Sequence, residues 1–292
     1  MTNNIYKKIR RFFPMFLYLV KPIKASASNN IVRSGIDVSK WQGKIDWAKV
    51  KAAGVQFALL RAGYGDTLSY PKQLDPTFEF NYKECKRVGI PVGVYWYSYA
   101  TTPEMARQEA RSCIAALKGK QFEYPIYYDV EEARIFATGK TNEIIKAFCD
   151  ELEAAGYWVG IYIYRCAATQ YLSEYTRERW AMAIAEYGSK LNYSGQYGIW
   201  QNSSTWKVSG ISGNVDHDWC YVDYPKLIKE RGKNGYPKPA QKVTVTKDTP
   251  IVQFEGTAKT GSSYTVREKK TVCGVQYARV TDKGWIAGKD CK

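Results

Sequence analysis

The sequence predicts an α/β fold followed by a small β-rich segment, and three observations carry that reading. Strand-like and helix-like stretches alternate five times between Ser34 and Tyr175. Three more strand-like stretches follow, at 179–185, 197–202 and 215–221, with no convincing helix between them. Short β-rich runs then fill 242–292. Repeated strand–helix pairs imply parallel strands joined by right-handed crossovers. Eight such strands either close into a barrel, with active groups at the C-terminal strand ends, or stay open as a doubly wound sheet. No Gly-rich loop opens a helix, so a nucleotide site has no support.

In chain order, residues 34–39 form a short strand. The helix over 45–53 is stopped by Gly54, and QFALLR at 56–61 is the second strand. A long loop, 62–75, leads to a helix over 76–88 that ends at Gly89. Residues 91–100 form the third strand. Thr102 then caps a helix with Pro103 in its first turn, and Ala106, Ala110, Cys113, Ile114 and Leu117 repeat at the helical period.

The fourth strand, YPIYYDVEE at 124–132, is apolar and aromatic until it ends in acid. Successive strand side chains alternate, so Asp129 and Glu131 project to one side, their Cα atoms roughly 6.6 Å apart. Like charges that close resist joint ionisation, and one pKa rises. A proton donor beside a carboxylate is what cleavage of a glycosidic bond requires. Thr141 caps the next helix, with Ile144, Ile145, Phe148, Cys149 and Leu152 on one face and Gly156 at its end. A strand over 157–164 and a short helix over 167–175 complete the fifth pair.

Charge and composition narrow the function. The 292 residues carry a net charge of +15, placed at the ends. Residues 1–29 contribute +6 and residues 226–292 contribute +9, whereas 30–225 hold 22 charges of each sign. The basic ends suit a polyanion, either nucleic acid or an anionic wall or membrane surface. With one histidine, His217, sites needing several are excluded. Seven cysteines without a CxxC pair argue against a disulfide framework. Cys85, Cys113, Cys149, Cys166 and Cys220 are expected as buried thiols. A Cys/His peptidase would need His217 to meet Cys220, but three residues apart on a strand they face opposite sides.

Residues 1–29 read either as a signal peptide, with a basic start and a nine-residue apolar run, or as a basic arm. Residues 226–241, rich in Lys, Arg, Gly and Pro, read as a linker. Residues 242–292 read as a small all-β barrel, whose Cys273 and Cys291 are the candidates for a staple.

Four stretches resemble one family. They are GIDVSKWQGKIDW at 35–47, PVGVYWY at 91–97, YYDVE at 127–131, and GIWQ at 198–201 running on to GNVD at 213–216. Together they are similar to glycoside hydrolase family 25, the N-acetylmuramidases of bacteria and their phages, over roughly residues 34–225, within a barrel domain expected over 30–225. The segment from 242 resembles a bacterial SH3-like wall-binding module. The resemblance implies an irregular TIM-like barrel of five β/α units plus three strands. It implies cleavage of the β-1,4 bond between N-acetylmuramic acid and N-acetylglucosamine in bacterial peptidoglycan, by a monomer needing no cofactor and no metal. Its acidic cluster falls on Asp37, Asp129, Glu131 and Asp216. On these residues Glu131 is read as general acid and Asp129 as the ionised partner that orients the 2-acetamido group; Asp129 or Asp37 as nucleophile, or as base towards water, is the alternative.

Two positions depart from the family. Asp216-His217-Asp218 stands where an apolar residue and Asn usually follow the aspartate, and Trp96 stands where His is frequent. Tyr95 and Trp200 are the expected substrate contacts, with Tyr97, Tyr162 and Tyr164 on strands beside them. The basic C-terminal segment would dock on an anionic wall rather than on nucleic acid, because the barrel itself is neutral. The protein would act at a cell wall, secreted or released from a phage-infected cell. A non-catalytic glycan-binding barrel is the competing reading, disfavoured by the intact Asp129/Glu131 pair.

Overall fold

A computed structural model of the chain describes residues 32–238 and, beyond them, the strand segments 241–244, 249–250, 257–258, 263–266, 268–272, 275–279 and 285–287. Eight strands close on themselves in chain order: β1 (Arg33–Val38), β2 (Phe57–Tyr64), β3 (Val92–Tyr97), β4 (Ile126–Asp129), β5 (Val159–Tyr164), β6 (Ala181–Ala185), β7 (Ile199–Trp206) and β8 (Val215–Cys220). The pairings from β1 to β7 are parallel. β8 runs antiparallel to both β7 and β1 and shuts the ring. The open sheet is thereby excluded. A two-faced sheet of this length has unpaired edges, and closure removes them.

The crossovers carry α1 (Trp47–Ala52), α2 (Phe78–Val88), α3 (Pro103–Leu117), the single turn α4 (Ala133–Phe136), α5 (Thr141–Ala154), α6 (Arg165–Tyr171) and α7 (Glu174–Arg179). Thr102 caps α3 as read, accepting from the Met105 amide at 3.2 Å, and Gly89 ends α2 with φ 71°. Two local readings change. Thr141 is the first helical residue of α5, not its cap, and its hydroxyl donates to the Ile135 carbonyl at 3.5 Å. Residue 179 ends α7 rather than starting a strand, because Ser173 caps a separate turn by accepting from the Thr176 amide.

Strand alternation sorts the side chains into two cores. Outward residues such as Ile36, Val38, Trp96, Tyr128 and Ile161 pack under the helices. Inward residues Phe57, Leu59, Tyr127, Ala183 and Ile199 fill the lower barrel, with Tyr124 and Tyr224 beneath them. The rings fit because glycines face them: a Cβ on Gly35 would lie 2.4 Å from the Phe57 ring, and one on Gly160 would lie 2.4 Å from Tyr127. Phe57 stacks on Tyr124 at 4.5 Å. Each of the larger buried side chains contributes about 1.5–3 kcal/mol. This aromatic floor leaves the upper half of the barrel open, which places the site.

The segment read as a linker from 226 is partly structural. Tyr224–Glu230 forms α8, capped by Asp223, and its Ile228 is fully buried among the floor residues. Asn234, also fully buried, takes φ 55°, which Asn tolerates better than most residues. Its side-chain amide donates to the Tyr124 carbonyl at 2.8 Å, and its oxygen accepts from the Trp158 amide at 2.7 Å. Cys166 is a second correction: it is exposed at the start of α6, whereas Cys85, Cys113, Cys149 and Cys220 are buried.

Beyond 240 the described strands pair antiparallel in two two-stranded ladders and one three-stranded ladder. The expected strand at 251–254, the cysteines Cys273 and Cys291 and the basic arm at 1–29 lie outside the described residues.

Candidate active site

At the C-terminal ends of the parallel strands a cavity of about 300 Å³ opens above the aromatic floor. Its position follows from strand parity. On β1, Asp37 faces inward between the outward Ile36 and Val38. On β8, Asp216 and Asp218 both face inward while His217 faces out. Asp37 is the register partner of Asp216 on one side and of Leu59 on the other. β4 stops at Asp129, and Glu131 lies just past the strand at the half-buried rim; both still line the one cavity. All four acids expected from the sequence therefore converge, and Asp218 joins them.

Donors in this cavity are few. Gln201 Nε2 donates to Asp37 Oδ2 at 2.7 Å, and the Tyr162 hydroxyl donates to Gln201 Oε1 at 2.9 Å. Tyr164 and Glu131 both line the cavity, and Tyr97 donates to Glu132 at 2.8 Å. Among the described residues Arg61 is the sole cation in the wall; its Nε is engaged by Asp75 at 2.8 Å. Asp129 Oδ1 and Asp218 Oδ2 are buried with no hydrogen-bond partner.

The electrostatics follow from that shortage. Burial, then Asp218 and Asp216, pushes Asp37 well above the usual carboxylate range. Burial and the neighbouring Glu131 do the same to Asp129, against the pull of Arg61. Asp129, expected to stay ionised, thus holds its proton more tightly than a solvated aspartate. Asp216 is raised, chiefly by burial. Asp218 is pushed up to about 8 by burial and then by Asp216.

Of the aromatic contacts, Tyr95, Tyr97, Tyr162 and Tyr164 all line the cavity. Trp200 does not. It alternates with Gln201 on β7, faces away, and spends its indole N–H on the Glu186 carbonyl at 2.8 Å. Trp96 likewise faces the outer core and donates to the Gly65 carbonyl at 3.1 Å, so its departure from the family leaves the cavity wall untouched. His217 sits outside between Trp206 and Trp219, bonded to Ser34 and Asn202, while Cys220 points to the floor. Their opposite facing agrees with strand parity.

The sequence reading missed Gln201, Arg61, Trp41 and Tyr187 in the wall. Period-two alternation carried the signal for Arg61 and Gln201. Trp41, in a 3-10 turn over Lys40–Gln42, and Tyr187, just past β6, sit at the mouth, 76% and 55% exposed, where no strand periodicity reaches. A second, shallower hollow of about 650 Å³ runs along α1 and α2. Its acids Asp46 and Glu84 are paired with Lys49 and Arg87, and it gathers no buried titratable group. Among the described residues no cluster of side chains is arranged to hold a metal ion.

Residues 36–211 match the sequence profile of Glycosyl hydrolases family 25. An autolytic lysozyme of Clostridium acetobutylicum is 30% identical over 185 residues, which is 63% of this chain and 54% of that protein. The modular autolysin LytC of Streptococcus pneumoniae, solved in complex with a synthetic peptidoglycan ligand, aligns with a TM-score of 0.57 and 30% identity over 64% of this chain and 46% of its own. A bacterial lysozyme from Streptomyces coelicolor aligns with a TM-score of 0.58 and 25% identity over 70% of this chain and 97% of its own. The chain spans about half the length of the first two.

Proposed function

The chain belongs to glycosyl hydrolase family 25, and from that premise we propose that it is a peptidoglycan hydrolase of the muramidase type. It would cleave the β-1,4 bond between N-acetylmuramic acid and N-acetylglucosamine. The observation that carries the reading is the pairing of Asp129 and Glu131 at the end of β4, opening into a cavity walled by tyrosines and carboxyls. Tyrosine faces suit sugar rings, and a surplus of negative charge favours an oxocarbenium-like transition state.

In this reading Glu131, at the rim, gives its proton to the glycosidic oxygen as the C1–O bond breaks. Asp129 lies deeper. Its unpartnered Oδ1 is a free acceptor for the N–H of the sugar's 2-acetamido group, whose carbonyl oxygen then attacks the anomeric carbon. Glu131, now ionised, removes a proton from the water that opens the intermediate. Asp37 and Asp216 supply the field. The excess of nine positive charges over 226–292 supports docking on an anionic wall polymer, and hence action at the cell wall.

The test is clearing of purified bacterial walls by the wild type and by Glu131→Gln, with mass analysis of the fragments. Fragments ending in reducing muramic acid, lost in the variant, support the assignment. Cut peptides, or equal clearing by both proteins, refute it. Wall binding without cleavage by either protein favours a glycan-binding barrel instead.

A further inference from the structure

The loop over 62–75 is pinned at both ends, and the residue that closes it stands behind the cavity wall. The register of β2 against β3 shifts between Arg61 and Gly63, and Gly63 bridges Leu74 antiparallel. The Asp75 amide then donates to the Ala62 carbonyl at 3.0 Å, which sets Asp75 beside Arg61. Bulges re-aim the side chains next to them, and here the side chain is Arg61, which lines the cavity.

The Asp75 side chain is fully buried and takes donors on both oxygens. Oδ2 accepts from Arg61 Nε at 2.8 Å and from the Lys40 amide at 3.0 Å. Oδ1 accepts from the Thr77 amide at 2.9 Å and from the Thr77 hydroxyl at 2.7 Å. That hydroxyl accepts from Asn81 Nδ2 at 3.2 Å, and Asn81 Oδ1 accepts from Trp47 Nε1 at 3.0 Å, so α1 and α2 brace the carboxyl from behind. An Asn at this place would offer an acceptor to one pair of donors and turn its NH2 on the other.

Oδ2 is thus shared by two parts of the site. Arg61 is held by its Nε, and its Nη2 is buried with no hydrogen-bond partner. A guanidinium fixed at one edge keeps its planar fork aimed and loses little freedom when it binds. The Lys40 amide opens the turn Lys40–Gln42, which Ser39 and Gln42 cap reciprocally and which carries Trp41 to the mouth.

Resting on the hydrolase reading, we propose that Asp75 is a positioning residue that holds the cavity cation and the Trp41 turn as one unit. The Nη edge of Arg61 meets an acceptor oxygen of the bound glycan, and Trp41 covers the same chain at the mouth. Asp75 touches no substrate and acts through these two.

The test measures kcat and KM of the full-length protein on soluble glycan strands from purified cell walls, for the wild type, Asp75→Asn, Arg61→Gln, Trp41→Ala and their pairs. Each single change is expected to raise KM about tenfold and to leave kcat within about threefold. Each pair is expected to lose less than the product of its singles, because the residues act together. Losses that multiply in either pair containing Asp75→Asn overturn the proposal. So does a fall in the apparent kcat of Asp75→Asn with KM unchanged, which a partly unfolded sample would give. Where Asp75→Asn does not fold, the pair Arg61→Gln/Trp41→Ala decides with Asp75 intact: coupled losses support the proposal and multiplied losses overturn it. A wild type that binds the strands without cutting them refutes the hydrolase reading alone, since the same cycles are then read as Kd. A wild type that neither binds nor cuts them overturns both.

Discussion

A buried carboxyl lies against each face of strands β3 and β4, and the two are built on opposite terms. On the outer face Glu109 of α3 is 3% exposed, and both its oxygens are used. Oε1 accepts from the Tyr99 amide at 2.8 Å; Oε2 accepts from Ser98 Oγ at 3.0 Å and from the Tyr128 hydroxyl at 2.6 Å. On the inner face, one residue along from Tyr128, Asp129 is 5% exposed and leaves Oδ1 bare. Both carboxyls are raised mainly by burial, Glu109 to about 7 with three kinds of donor resisting the rise. A satisfied buried carboxyl fixes the fold. An unsatisfied one is a cost that the substrate can relieve.

The largest effect that sharpens this contrast lies at the rim. Glu131→Gln is expected to lower wall cleavage by about 10³-fold while moving the melting temperature very little, because the half-buried side chain holds no packing in place. Asp129→Asn comes next: activity falls by roughly 10²-fold, yet the protein gains stability, since an amide replaces a carboxyl that resists ionisation. A loss of both activity and melting temperature would place Asp129 with Glu109 and erase the distinction.

Glu109→Ala should do the reverse, costing about 3–5 kcal/mol by orphaning three donors, with turnover per folded molecule retained. Its pH dependence has a definite sign. The folded carboxyl titrates above the unfolded one, so the native state binds more protons between about 4.5 and about 7. Stability from this group is full below that window and is lost as pH rises through it, by up to about 3 kcal/mol. Denaturant unfolding of wild type and Glu109→Gln at several pH values reads this directly; the advantage of Gln should grow with pH. The smallest effects separate the two faces of β7. Gln201→Leu, which frees Asp37 Oδ2, should cut kcat/KM by about tenfold. Trp200→Phe, on the other face, should leave KM unchanged, and a raised KM there would restore Trp200 as a substrate contact.

Strand parity explains what was legible. The converging Asp37, Asp129, Glu131 and Asp216 were readable because each stands at or just past the inward end of a recognisable strand. Tyr95 followed the same rule. Trp200 was misjudged because an aromatic residue in a strand carries no mark of which face it takes; Gln201 beside it is the inward one. The helix over Tyr224–Glu230 was hidden by its Lys, Gly and Pro neighbours, which resemble linker composition, although Ile228 and Asn234 seal the barrel floor.

The sequence by itself determined the alternation of strands and helices, the three closing strands and the acids at their ends, because periodicity and capping are local and written in residue order. Only the tertiary structure decided that the sheet closes, that β8 lies antiparallel between β7 and β1, and that Asp218 therefore enters the same cavity as Asp37. Only it decided which carboxyls are pushed above their ordinary range. Burial and through-space neighbours set those, and residues 181 positions apart in the chain become neighbours solely by the closing of the ring.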